Sequence, residues 1–204
     1  MKIIKNNIIL YLLIGLSFNV FSQDTIIYTD SYTSYFDTTY KQPLYVSYKL
    51  YKGGGDVSRK GMNFKGIKNI TCTDKDYYKS GYDRGHLVNA EDFAYDSIKL
   101  ESTFRYYNCL PQTSNLNRGI WKKYESLIRD LSYTDSLLII CGGSHFIKNE
   151  KLYVPQYCWK IVYSLSNNNI EYVILFTNKE SDNSYTLYPN VIELENNLNI
   201  KINL

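Results

Sequence analysis

Apolar positions along the 204-residue chain fall into runs of two kinds. Residues 44–51 (LYVSYKLY) alternate apolar and polar and are rich in aromatics and valine, which predicts a strand. Residues 136–141 (SLLIIC), 157–165 (YCWKIVYSL) and Ile170–Thr177 (IEYVILFT) are almost continuously apolar and predict core strands. Residues 106–111 form a short extended piece closed by Pro111, and the glycines at 53–55 with Asp56 mark a turn. Over residues 114–131 the period changes. Leu116, Ile120, Tyr124, Leu127, Ile128 and Leu131 recur at helical spacing, with Ser114 or Asn115 placed to cap the start. A second, short helix is expected over residues 193–198. Strands of this number with few helices imply an α+β fold around a mixed or antiparallel central sheet.

The opening residues are of another kind. Residues 1–7 carry two lysines and no acid, and residues 8–21 are then nearly unbroken apolar sequence before Ser22 and Gln23. This reads as a secretory signal peptide over residues 1–22, with one domain over 23–204 in a secreted or periplasmic protein. The apolar run falls short of the ~20 residues that span a bilayer. Loss of Lys2 and Lys5 with the leader leaves 21 basic against 20 acidic residues, a charge of +1. A polyanion would then be met by a local patch rather than by a global field, and the cluster Arg59, Arg84, Arg118, Lys122 and Lys123 is the candidate. In an exported chain the four cysteines, Cys72, Cys109, Cys141 and Cys158, suggest disulfides, with Cys141–Cys158 the preferred pair because both lie in neighbouring strand-like runs. Zinc is the weaker alternative, since no CxxC or HxxxH spacing occurs.

Only two histidines are present, and one, His86, stands in the string GYDRGHLVNAEDF directly after Asp83-Arg84-Gly85. A neutral imidazole can take a proton from water, and the neighbouring guanidinium offers donors matched to phosphate oxygens. Downstream, NLNRGIWKKYES places Asn117, Trp121 and Glu125 at i, i+4 and i+8, on nearly one helix face. An amide oxygen and a carboxylate together suit a hard cation such as Mg²⁺, which keeps most of its waters. Base, arginine and metal ligand are the parts of a phosphodiester hydrolase. Singly, each has a plainer reading: a structural histidine, a helix cap at Asn117, a core Trp121 and a solvated Glu125 beside Lys122 and Lys123.

The string YDRGHL followed by YNCLPQTSNLNRGIWKKYE resembles the DNA/RNA non-specific endonucleases, which have a ββα-metal active site. Asn108, Pro111 and Gln112 match that family's N-x-x-P-Q segment, and Leu116, Asn117, Gly119, Trp121 and Glu125 match its L-N-x-G-x-W-x-x-x-E element. Tyr48 and the Arg59–Phe64 segment resemble its leading strand and arginine segment. VPQYCWKIVY and VIELENNLNI resemble its later strand and C-terminal helix. The resemblance implies His86 as general base and Asn117 as the direct protein ligand of one Mg²⁺, with Mn²⁺ a possible substitute. It implies that Glu125 holds waters of the ion's hydration shell, and that Arg59 and Arg84 stabilise transition-state charge. Asn108 would brace the backbone or ring near His86, and Asp83 would be a structural partner. The products would carry 5′-phosphate ends, the substrates would be DNA and RNA, and an inhibitor or immunity protein is a possible partner.

Val88, Asn89 and Ala90 after the histidine, Cys141 before the glycines, and Lys201 and Ile202 near the end depart from the family pattern. His145 matches no catalytic position and is read as structural. Two alternatives stay open: a catalytically idle nucleic-acid-binding or DNA-uptake protein, and an interbacterial nuclease toxin.

Overall fold

The computed structural model describes residues 19–20 and 25–202. The expected leader over residues 1–22 lies outside the described residues apart from Asn19–Val20 (β1). The remaining strands are Thr25–Tyr28 (β2), Thr33–Asp37 (β3), Gln42–Leu50 (β4), Asp83–His86 (β5), Cys109–Gln112 (β6), Leu137–Asn149 (β7), Leu152–Ser164 (β8), Ile170–Thr177 (β9), Tyr185–Leu187 (β10) and Ile200–Lys201 (β11). The helices are Asp74–Tyr77 (α1), Ser97–Ser102 (α2), Ser114–Arg118 (α3), Ile120–Ser132 (α4) and Val191–Leu198 (α5).

Seven strands form the central sheet in the order β10-β9-β8-β7-β4-β3-β2, antiparallel at every pairing. The fold is thus α+β. A small hairpin, β5 with β6, stands apart from that sheet and leads directly into α3, giving the β-β-α unit that carries the motif residues. β1 and β11 pair in parallel.

The near-continuous apolar runs of β7, β8 and β9 follow from burial on both faces. On one side Val46, Cys141, Cys158, Val162 and Phe176 pack with Trp121, Tyr124 and Ile128 of α4. On the other, Leu44, Ile140, Trp159, Ile161 and Val173 pack with Val191, Leu194 and Leu198 of α5. A strand covered on both faces has no polar side to show. One residue breaks the pattern: Lys160 is 1 % exposed within β8.

Three expectations are corrected. The single helix over residues 114–131 is two helices, broken at Gly119, and its cap is Thr113, whose hydroxyl accepts from the Leu116 amide at 3.3 Å. Asn117 and Glu125 therefore lie on different helices, while Trp121 is a core residue with no exposure, in agreement with its plainer reading. The Cys141–Cys158 disulfide does not form, and all four cysteines are free and buried. In the β7–β8 register Cys141 faces Lys160 while Cys158 faces Gly143, so the two sulfurs are diagonal neighbours, farther apart than a directly opposed pair. Cys141 instead donates to the Leu87 carbonyl at 3.1 Å.

The break depends on a glycine, because a Cβ built at Gly119 would collide with the Asn115 carbonyl oxygen. Gly119→Ala must push α3 away from α4. The expected cost is about 0.5–3 kcal/mol, a fall in Tm of roughly 2–4 °C per kcal/mol at this chain length. Calorimetry showing an unchanged Tm would mean that the helix break does not depend on this glycine.

Candidate active site

The hairpin and the two helices after it line one cleft of about 590 Å³. Its walls include Arg59, Arg84, His86, Asn117, Arg118, Lys122 and Glu125, with Asn89, Glu91, Ser126 and Arg129 beside them. Asn108 lies behind this wall, fully buried, and Lys123 is not part of it. His145 is elsewhere, edge-on to Tyr157 at 5.7 Å.

His86 ends β5, where Gly85 passes so close to Gln112 of β6 that any side chain would collide with it. The imidazole is enclosed by Phe64 at 4.8 Å and Phe104 at 4.9 Å between ring centroids. Its Nε2 is shut off from solvent and has no hydrogen-bond partner among the described residues, which leaves Nδ1 as the nitrogen able to meet water in the cleft. Burial pushes the pKa down to about 3, and the Arg59 charge adds to the effect. The ring is therefore neutral at any pH near 7, and among the described residues no carboxylate is hydrogen-bonded to it to raise its basicity.

The backbone under the ring is fixed by long-range bonds. Trp121 Nε1 donates to the His86 carbonyl at 3.2 Å. The Leu87 amide donates to the Asn108 carbonyl at 2.9 Å, and the Val88 amide donates to Asn108 Oδ1 at 2.9 Å. Asn108 Nδ2 donates to the carbonyls of Val88 and Thr103, at 3.1 and 2.8 Å.

Asn117 Nδ2 donates to Asp83 Oδ2 at 2.9 Å, so its amide oxygen is the atom left to face the cleft. Arg118 grips the same carboxylate through two bonds of 2.8 and 2.7 Å. Burial works against ionising Asp83, but the bonds from Arg118 and Asn117 outweigh it and hold its carboxyl below the usual range. Asp83 is consequently an acceptor that fixes the Asn117 rotamer. Arg84 stacks on Tyr77 and bonds Tyr106 Oη and Asp74, at 3.1 and 2.7 Å. Arg59 is held more loosely, 3.6 Å from Glu91 across solvent.

Glu125 is the second perturbed group. Burial pushes its pKa up to about 7, with Lys160 the largest opposing influence. Behind it Asp92, raised by burial to about 6, accepts from Arg129 Nε at 2.9 Å and from the Tyr48 hydroxyl at 3.0 Å. Sequence reasoning missed Asp92, Arg129 and Lys160. Only Arg129 left a trace, four residues after Glu125 on the same helix.

Among the described residues no cluster of three or more His, Cys, Asp and Glu side chains could cage a metal. The donors present are an amide oxygen and a carboxylate in an open cleft. Such a set fits a hard cation that keeps most of its water, and it does not fit zinc.

The family model of DNA/RNA non-specific endonucleases matches residues 13–202. The chain is 30 % identical over 123 residues to the mitochondrial endonuclease G of Bos taurus, covering 57 % of this chain and 41 % of that protein. It is 32 % identical over 122 residues to the mitochondrial nuclease EXOG of Danio rerio, covering 57 % and 35 %. A nuclease of Nostoc sp. is 33 % identical over 102 residues, covering 48 % and 37 %. The matches thus span well under half the length of these relatives. In fold, the chain resembles the solved EndoG/EndoGI complex, described as showing the mechanism of EndoG inhibition, with a TM-score of 0.73 and 21 % identity over 84 % of this chain and 82 % of that one.

A carboxyl whose pKa rises on folding costs stability when it ionises, and for Glu125 that cost accumulates as pH climbs from about 4.5 to about 7. Glu125→Gln removes it. The Tm gap in favour of the variant should be smallest near pH 5 and reach its full size by pH 8, as read by thermal melting across that range. A gap that narrows with rising pH would contradict the buried-carboxylate assignment. From the Asp83–His86 hairpin to Glu125, and over 190 residues matched, the chain belongs to the DNA/RNA non-specific endonuclease family.

Proposed function

We propose that this protein is a metal-dependent endonuclease that hydrolyses phosphodiester bonds of DNA and RNA without sequence preference, with Mg²⁺ as its ion and Mn²⁺ as a substitute. The observation that carries the reading is the meeting of a neutral, enclosed His86, the free oxygen of Asn117, Glu125 and two arginines in one cleft. The family relationship gives the reaction class.

His86 Nδ1 accepts a proton from the attacking water, whose oxygen forms the new bond to phosphorus. The P–O3′ bond breaks, leaving a 5′-phosphate and a 3′ oxygen that takes a proton from water in the cleft to become the hydroxyl. A base of low pKa is a weak one, and here the low value reflects a dry pocket in which water-derived charge is also poorly solvated; His86 is at least always unprotonated and ready. Arg59, only loosely paired, is free to swing onto the phosphate, whereas Arg84 offers a fixed guanidinium edge. Asn117 would hold the ion through its amide oxygen, Asp83 keeps that amide from rotating, and Glu125 would orient water at the cleft wall. The bound ion supplies positive charge that neutralises the leaving oxygen. Arg118 and Lys122 extend the basic lining along which a phosphate backbone can run, so substrate contact is with phosphate rather than with bases.

The apolar run over residues 8–21, read as part of a leader, supports an exported, secreted or periplasmic location. A proteinaceous inhibitor covering the cleft is proposed on the analogy of the EndoG/EndoGI complex.

His86→Ala and Asn117→Ala should fail differently. The first removes the proton acceptor and lowers cleavage by roughly 10²–10⁴, with the Mg²⁺ dependence unchanged and no rescue by added metal. The second weakens apparent Mg²⁺ affinity together with rate, so higher Mg²⁺ restores part of it. Rates against Mg²⁺ concentration on plasmid DNA and on RNA, with circular dichroism for folding, separate these outcomes. Cleavage by His86→Ala at the parent rate would overturn the base assignment.

A further inference from the structure

Lys160 stands at a position where the pattern of its strand requires an apolar side chain. Cys158 and Val162, its neighbours on that face of β8, both belong to the core under α4. In the sheet it lies between Cys141 of β7 and Ile174 of β9, far from either edge. Its ammonium nitrogen is 3.7 Å from the centroid of the Trp121 ring, and among the described residues no carboxylate makes an ion pair with it. A cation removed from water in this way is expensive. A methionine would fill nearly the same volume without that cost, so packing does not account for a lysine.

The neighbours account for it. The indole that the ammonium covers is the one whose Nε1 donates to the His86 carbonyl. Around the same pocket stand Glu125 and Arg129 of α4, Asp92 of the turn Ala90–Phe93, Tyr48 of β4, Cys141 of β7 and Cys158 of β8. Two of these are carboxyls, and Arg129 is bound to one of them. Lys160 is the second cation in the group.

We propose that Lys160 is a positioning residue of the cleft. Its buried charge seats the Trp121 indole against His86 and supplies the counter-charge for the Asp92–Glu125 pair, which Arg129 alone does not match. The inference rests on the nuclease reading above and deepens it, since Lys160 touches neither substrate nor ion. A cation over a desolvated indole is attracted by the negative face of the ring, which favours one ring orientation over its alternatives.

The test compares Lys160→Met, which keeps volume and removes charge, with Lys160→Arg, which keeps charge and enlarges the side chain. Loss of a residue that orients a site from behind typically costs roughly 10–100-fold. Lys160→Met is expected to lose that much in kcat with KM within about twofold, and Lys160→Arg to retain more activity than Lys160→Met. A purely packing role gives the reverse order. A Lys160→Met enzyme at the parent kcat, while His86→Ala is inactive, overturns this inference and leaves the nuclease reading intact; an active His86→Ala overturns that reading first. Independently of any variant's folding, the intact protein labelled with ¹⁵N-lysine should show one slowly exchanging ammonium displaced upfield by an indole ring. Finding every lysine ammonium in fast exchange overturns the placement.

Discussion

The cleft depends on the complete hydrogen bonding of a three-residue stretch of backbone. From the carbonyl of His86 to that of Val88, every donor and acceptor is taken by a residue at least twenty positions away: Trp121, Asn108 and Cys141. Buried peptide groups left unpaired cost about 1–3 kcal/mol each, so hairpin, helix and sheet cannot separate without exposing several at once. The strand end that carries the imidazole is thereby locked to the helix that carries Glu125 and to the sheet beneath. The ring itself makes few bonds. Its orientation is inherited from the backbone below it and from the aromatic side chains of Phe64 and Phe104 on either side.

That arrangement produces two opposite electrostatic outcomes from one cause. Desolvation lowers the pKa of His86 and raises those of Glu125 and Asp92, because in each case the charged form loses water. The imidazole therefore remains neutral without any partner. The carboxyls need cations, and these come from two directions: Arg129 within the helix and Lys160 through the sheet. Asp83, at the rim, escapes the same fate because Arg118 and Asn117 give it three hydrogen bonds. A low-dielectric floor with a solvated, basic rim suits a phosphate substrate that must bind through charge and react away from bulk water.

Much of this was visible in the sequence, for reasons that differ by element. The β7, β8 and β9 cores were plain because strands buried on two faces have no polar positions to obscure them. The meeting of His86, Asn117 and Glu125 in one cleft was legible from residue type and spacing within fifty positions of chain. The break at Gly119 was hidden because the apolar period runs across it, from Leu116 to Ile120, while the close approach of the Asn115 carbonyl that only a glycine admits exists in the folded chain alone. The outer halves of β7 and β8, through Asn149 and Leu152, are held by their pairing with each other, and pairing leaves no mark on composition. Cysteine count and compartment suggested a disulfide at Cys141, but the register places that thiol under Leu87 instead. Asp92, Arg129 and Lys160 are distant in sequence, and Lys160 looked like any surface lysine until both faces of the sheet were known to be covered.

The central claim is that enclosure, reinforced by the nearby Arg59 charge, keeps the His86 imidazole neutral. With only two histidines in the chain, ¹³C-histidine NMR can follow its Cε1 resonance, assigned by comparison with a His145→Gln variant. Between pH 8 and about pH 4.5 the account predicts no titration of the His86 signal, in keeping with a pKa near 3. A titration midpoint at the ordinary imidazole value of about 6.5 would contradict it.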